Sequence, residues 1–508
     1  MKRCIVLTVL ALIAGFLNAQ EFGFGNDSGD SSESGSGKNA MALSVSVGGE
    51  VSASLLGYFD DFSQGANHTQ LGDIFSGKLN FSAGTSFADG VIKLNLQTTP
   101  QPVSIDEAYV RAYFGGLEIE GGLRKLTWGK ADSFGPLDVI NPLDYSELTD
   151  LSDPMNLKIA RPLVHASYRI GSFTKIEALF VPIFEPLRYA DKGSRWEPSQ
   201  MKKLNNLPDQ IHDQIETEVL EKIKPILPIL ERFGISSPTV TKPTVIEHKP
   251  DDDDLSKLAY AQAGARVTTT IGQADLGFQY YYGYLTRPAV SSTITSTTST
   301  TLISLPPLPT LPPQLLIPTA VDTTIDLHYA YNPYHQIGID WAQVLFGFNI
   351  RAEFAVNITN DSKGDDPAVY NPALLWSFGF DRDLVWGINL NLQCNESIRL
   401  MDDKIGNKTI TDGATTMTIV DTETDTKMTS TQIITAISKK FFRDALETRV
   451  AVMWGIEDKD FLLIPSIIWT RDTLSLELSA GIFGGSKEGQ FGQYKDNSFL
   501  KAALTYSF

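Results

Sequence analysis

The residues of this chain that could do chemistry recur at every second position. Glu107, Tyr109, Arg111 and Tyr113 follow one another in this way, then Glu118, Glu120 and Arg124, and corresponding phases later carry Arg169, Glu177, Arg266, Arg351, Glu353 and Arg449. Side chains two apart share one face of a strand, so these groups are expected to line one wall. Both signs of charge occur, which allows two outcomes. The charges pair across neighbouring strands and keep an enclosed space wet, or several arginines form a ladder for anionic solutes.

Catalytic constellations are missing from the same inventory. The chain has no nucleophile motif, phosphate loop or metal cluster, and none of its six histidines is paired with a second at ligand spacing. We therefore expect no enzyme activity, no cofactor and no metal. Asp251 to Asp254 lack the spaced ligands and glycine of a calcium loop and read as a solvated acidic turn. A formal charge of −18 makes nucleic acid a poor partner.

The elements that would hold such a wall begin after an export segment. Met1, Lys2 and Arg3, an apolar run from Ile5 to Leu17 and Ala19 before Gln20 give residues 1–19 the form of a signal peptide. Residues 20–42 are rich in Gly, Ser and Asp and read as a flexible tether. Beyond the signal only Cys394 remains, so the fold cannot rely on an internal disulfide.

From Leu43 to Phe59 the odd positions are apolar and most even ones polar or small. That is a strand far longer than the usual 5 or 6 residues. The alternation recurs along the chain, with short glycine-containing links such as Ala88-Asp89-Gly90, Gly115-Gly116 and Gly171-Ser172 between several segments. Taking Ile325 to Trp341 as one strand through Pro333 gives eighteen strands, with eight short turns alternating with nine generally longer loops. Even strand number, short turns at one rim and long loops at the other predict an all-β fold, a transmembrane antiparallel β-barrel spanning 43–508. Trp341, Trp376 and Trp386 are expected near the short turns and Trp454 near the opposite rim, all on the apolar phase.

Two long loops stand out. The third, 128–162, carries Asp132, Asp138, Asn141 and Asp144 and is the candidate constriction. The fourth, 184–257, contains Ile211, Ile215, Val219 and Ile223 at four-residue intervals, which predicts a short helix over 207–224. The mouth of the barrel is its expected packing partner. Residues 290–318, Ser/Thr-rich and then Pro-rich, read as an extended surface loop.

Four stretches of the chain, Asp106 to Val110 (DEAYV), Gly122 to Gly129 (GLRKLTWG), Asp138 to Asp144 (DVINPLD) and Phe180 to Arg188 (FVPIFEPLR), resemble the porin-type barrels related to alginate-export proteins, including an uncharacterised proteobacterial branch. The likeness covers roughly 106–188; the chain has Gly122, Leu123, Arg124 and Lys125 where relatives tend to have Gly-Arg-Gln. It implies an outer-membrane channel whose third loop can fold into the pore.

The expectation is thus a bacterial outer-membrane porin passing small hydrophilic solutes, with outer-membrane lipids and the barrel assembly machinery as partners. Tyr506 and Phe508, on the apolar phase of the last strand, are the expected assembly signal. A transporter for hydrophobic, fatty-acid-type solutes and a surface adhesin with functional loops are the alternatives. Nothing in the composition names the solute.

Overall fold

Alternation of apolar and polar residues sets the architecture, because a strand that shows lipid one face and water the other must close on itself to satisfy its backbone. The computed structural model describes residues 43–60, 72, 75–98, 102–151, 154–232, 237–304, 314–364, 366, 368–401, 409–412, 415–420 and 427–508. The expected signal peptide and tether lie outside the described residues.

Eighteen strands form the barrel: β1 (Ser44–Tyr58), β2 (Phe75–Gly84), β3 (Ala88–Gln97), β4 (Val103–Phe114), β5 (Leu117–Arg124), β6 (Arg161–Ile170), β7 (Thr174–Val181), β8 (Gln262–Ile271), β9 (Ala274–Tyr284), β10 (Pro333–Leu345), β11 (Phe348–Thr359), β12 (Ala373–Asp383), β13 (Ile388–Arg399), β14 (Thr429–Phe441), β15 (Leu446–Gly455), β16 (Asp460–Arg471), β17 (Leu474–Gly484) and β18 (Phe499–Ser507). Each pairs antiparallel with the next, and β18 returns to β1 with Tyr506 opposite Val51 and Leu504 opposite Ala53. Gly49 and Phe508 exchange both backbone hydrogen bonds at 2.9 Å. This closure leaves the barrel no open edge.

The outward phase is apolar. Val47, Val110, Val164, Phe278, Ile339, Ile467 and Leu504 are all exposed along the strands. Phe114, Phe173, Phe346, Trp386 and Phe442 project at the short-turn rim, with Tyr280, Trp454 and Phe461 toward the other. A closed barrel with an apolar belt and aromatic margins is the form in which proteins span the bacterial outer membrane. The chain is an outer-membrane β-barrel.

Several local expectations change. The turn after β2 falls at residues 85–87, where Thr85 Oγ1 accepts the N–H groups of Phe87 and Ala88, rather than at Ala88-Asp89-Gly90. Trp376 lies near the long-loop end of β12, while Trp386 sits in the short turn itself with φ +64°. The run from Ile325 to Trp341 is not one strand. Its first part belongs to Gln314–Ala330, its second to β10, and the break falls at residues 331–332, where the Asn332 carbonyl accepts the Leu285 N–H. Proline lacks a donor, which favours it at the first residue of a strand, where Pro333 stands.

The Ser/Thr-rich stretch is likewise not a loop. Ala289–Ser304 pairs antiparallel with Gln314–Ala330, continuing the β9–β10 hairpin beyond the barrel. Thr239–Val240, Thr244–His248, Thr409–Asp412 and Thr415–Val420 join it in a second, six-stranded sheet. Threonine suits a strand as well as valine does, which polarity alone conceals.

Helix α1 (Ser199–Ile223) starts earlier than expected and contains Pro208. Its Met201, Leu204, Leu207 and Ile211 pack on Val290, Ile294, Ile325 and Leu327. The second sheet is thus the partner of Ile211 and of the apolar residues that precede it on the helix. The acidic run caps a short helix, with Asp251 accepting the Asp254 N–H at 2.8 Å.

Candidate functional site

The inner wall is built by the strand alternation and one irregularity. Between β3 and β4, Lys93 faces Glu107 and Leu94 faces Ile105, so Asp106 is extra. Such a bulge reverses the phase of a strand. Val103 and Ile105 therefore face outward before it, whereas Glu107, Tyr109, Arg111 and Tyr113 face inward after it.

The inward charges of β3 to β7 form a connected chain. Glu107 meets Lys93 at 2.5 Å and Arg124 at 2.6 Å and accepts the Lys125 N–H at 2.9 Å. Arg124 lies over the Tyr109 ring, 4.3 Å from its centroid. Arg111 Nε is 3.4 Å from both Glu118 and Glu120, and Tyr113 donates to Asp89 at 2.7 Å. His165 then stands between Glu120 at 3.0 Å and Glu177 at 3.3 Å, and Lys175 reaches Glu177 at 3.0 Å.

Farther round, buried Arg266 is held by Asp340 and Gln279, each at 2.6 Å, and Arg351 by Asp132 and Asp381, each at 2.6 Å. Arg111, Arg124, Arg266 and Arg351 are thus all matched by carboxylates. Arg449 and Arg169 make no ion pair among the described residues. Arg169 is exposed near a short turn and Arg449 is half-buried opposite Ser438 and Ser466.

The segment between β5 and β6 lies against this wall. Glu353 on β11 accepts the N–H groups of Lys130, of Ala131 at 2.6 Å and of Leu137 at 3.2 Å. Any Cβ on Gly129, which has φ +102°, or on Gly135 would come within 2.5 Å of that carboxylate, so glycine permits the approach. Gln393 takes both backbone groups of Ser133, Asn395 donates to the Phe134 carbonyl at 3.2 Å, and Gln336 and Gln279 donate to the carbonyls of Pro136 and Leu137 at 3.0 Å.

The four residues expected in the constriction have different places. Asp132 meets the wall through Arg351 and through Asn391 at 2.8 Å. Asp138 pairs with Lys158 at 2.6 Å; burial pushes its carboxyl above the ordinary range although the ammonium opposes this. Asn141 ties the two roots together, accepting the Leu126 N–H at 2.8 Å and donating to the Arg124 and Ile159 carbonyls at 3.0 and 2.8 Å. Asp144 reaches Arg188 of the following loop at 2.7 Å. A cavity of about 140 Å³ lies between residues 127–138 and 154–158.

Two further features escaped a search for charge. The wall amides Gln279, Gln336, Gln393 and Asn395 share the inward phase, and that phase was the signal available to find them. Inward Leu462, Phe483 and Phe499 form an apolar cluster with Leu148 and Trp196, while Leu151 is packed against it.

No protein-family model matches the chain, and no curated protein matches it. Among solved structures it is similar to Pseudomonas aeruginosa OpdL, at 8% identity, 92% of this chain, 98% of that one and a TM-score of 0.45. It is also similar to Pseudomonas aeruginosa OccK11 (OpdR), at 8%, 91%, 96% and 0.43, and to a mutant of the Rh. blastica porin, at 9%, 92%, 100% and 0.36. The architecture itself rests on the strand pairing.

Proposed function

We propose that this protein is a porin, a passive channel for small hydrophilic solutes, narrowed by the segment between β5 and β6. The observation that carries the reading is the bonding of inward Glu353, Gln279, Gln336, Gln393 and Asn395 to the backbone of residues 130–137. A barrel of this size has a water-filled lumen unless something occupies it. A segment bonded to the inner wall occupies part of it. The matched charges of β3 to β7 favour a wet, weakly selective wall over a binding ladder for anions.

Planar bilayers containing the refolded protein test this. Stepwise conductance with reversal potentials near zero in a salt gradient is expected, and removal of residues 130–137 should raise the conductance. Silence in bilayers would sink the channel reading. The apolar cluster at Leu462, Phe483 and Phe499 favours a second reading, passage of hydrophobic solutes, which silence together with binding of a fatty acid would support.

The outward rings of Tyr506 and Phe508, whose centroids are 6.3 Å apart, would serve the assembly machinery. Replacing both by serine should reduce outer-membrane assembly in cells while leaving refolded conductance unchanged.

A further inference from the structure

The second sheet brings two histidines together. Thr244–His248 pairs in parallel with the end of Gln314–Ala330, which sets His248 directly opposite His328. Their rings lie face to face, centroids 4.3 Å apart and planes 9° from parallel. Asp326, two residues before His328 and so on the same face, places Oδ1 3.7 Å from His248 Nε2.

This face is opposite the one that α1 covers, since α1 packs on Ile325 and Leu327 of the other phase. Both histidines are exposed and Asp326 is half-buried. We propose that His248, His328 and Asp326 form a surface site for a borderline divalent transition-metal ion such as Zn²⁺, Cu²⁺ or Ni²⁺. Imidazole nitrogens with one carboxylate are the donors these ions favour, whereas Ca²⁺ and Mg²⁺ take oxygen ligands.

The strand register fixes the two backbones, so only side-chain rotation is needed to turn both imidazoles toward one ion. Rotation between staggered positions is open to exposed side chains. Water completes the shell. A competing set, His212, Asp213 and Glu216 on α1, has its ligand atoms within 4.8 Å of one another. It offers a single imidazole, whose Nδ1 lies 3.3 Å from the Thr241 carbonyl.

The site does not depend on the channel reading. Tag-free full-length protein in detergent, its fold checked by heat-modifiable gel mobility, is titrated with Zn²⁺ by calorimetry and with Cu²⁺ by electron paramagnetic resonance. One equivalent should bind, with two imidazole nitrogens on Cu²⁺. His248→Ala and His328→Ala should each weaken binding at least about tenfold, Asp326→Asn less, and His212→Ala not at all. Absence of binding, unchanged affinity in the His248→Ala/His328→Ala double variant, or loss of binding in His212→Ala would overturn the assignment.

Discussion

The carboxylate of Glu353 accepts the backbone N–H of Ala131 at 2.6 Å across 222 residues of sequence. A wall residue thereby grips the backbone of a segment whose Asp132 side chain also reaches the wall, through Arg351 and Asn391. The N–H groups of Lys130 and Leu137 go to the same carboxylate, so one side chain takes three of the backbone donors of this stretch.

Glu353→Ala should release that stretch. Each buried N–H left without an acceptor costs about 1–3 kcal/mol, so the segment should become open to protease between residues 129 and 137 and the open channel should become noisier. Glu353→Gln should fall between, because its amide keeps one acceptor and turns a donor toward donors. Protease resistance equal to the parent protein would show that the wall amides suffice.

Arg161 should matter for stability more than for conduction. It is fully buried, and its guanidinium donates to the carbonyls of Ile140 and Ile183 at 2.9 Å each. Arg161→Met removes both bonds and strands two carbonyls, a loss of about 2–5 kcal/mol. Urea unfolding of the refolded barrel should show a lowered midpoint.

His165→Ala should alter selectivity. The ring is the cationic candidate set between Glu120 and Glu177, and without it the two carboxylates face a smaller counter-charge. Reversal potentials should move toward cation preference relative to the parent. A move toward anions would contradict the pairing described.

Gly264 provides the seat for Trp128. A Cβ there would lie 2.8 Å from two indole atoms of a ring that is 2% exposed. Gly264→Val should destabilise the protein by about 1–3 kcal/mol through overpacking and shift the tryptophan fluorescence, whereas Gly277→Ala, which meets Asp340 instead, should leave the fluorescence unchanged.

The strand count, the order of pairing and the face each strand turns to lipid are local properties, and period-two alternation with turn chemistry is enough to read them. The same reading placed Glu107, Glu120, Arg266 and Glu353 on the inner wall. It erred at Pro333 and over residues 290–304 and 314–318, where threonine and proline look like loop yet can pair at the start or along the length of a strand; the Pro-rich residues 305–313 lie outside the described residues.

Tertiary structure decided which inward groups meet. Strand register, the bulge at Asp106 and the path of a long segment against the wall add together before His165 meets Glu177 or Glu353 meets Ala131. The partner of α1 and the stack of His248 on His328 also depend on a second sheet assembled from distant segments. Alternation assigns a side chain to a face; only the closed set of registers assigns its neighbour.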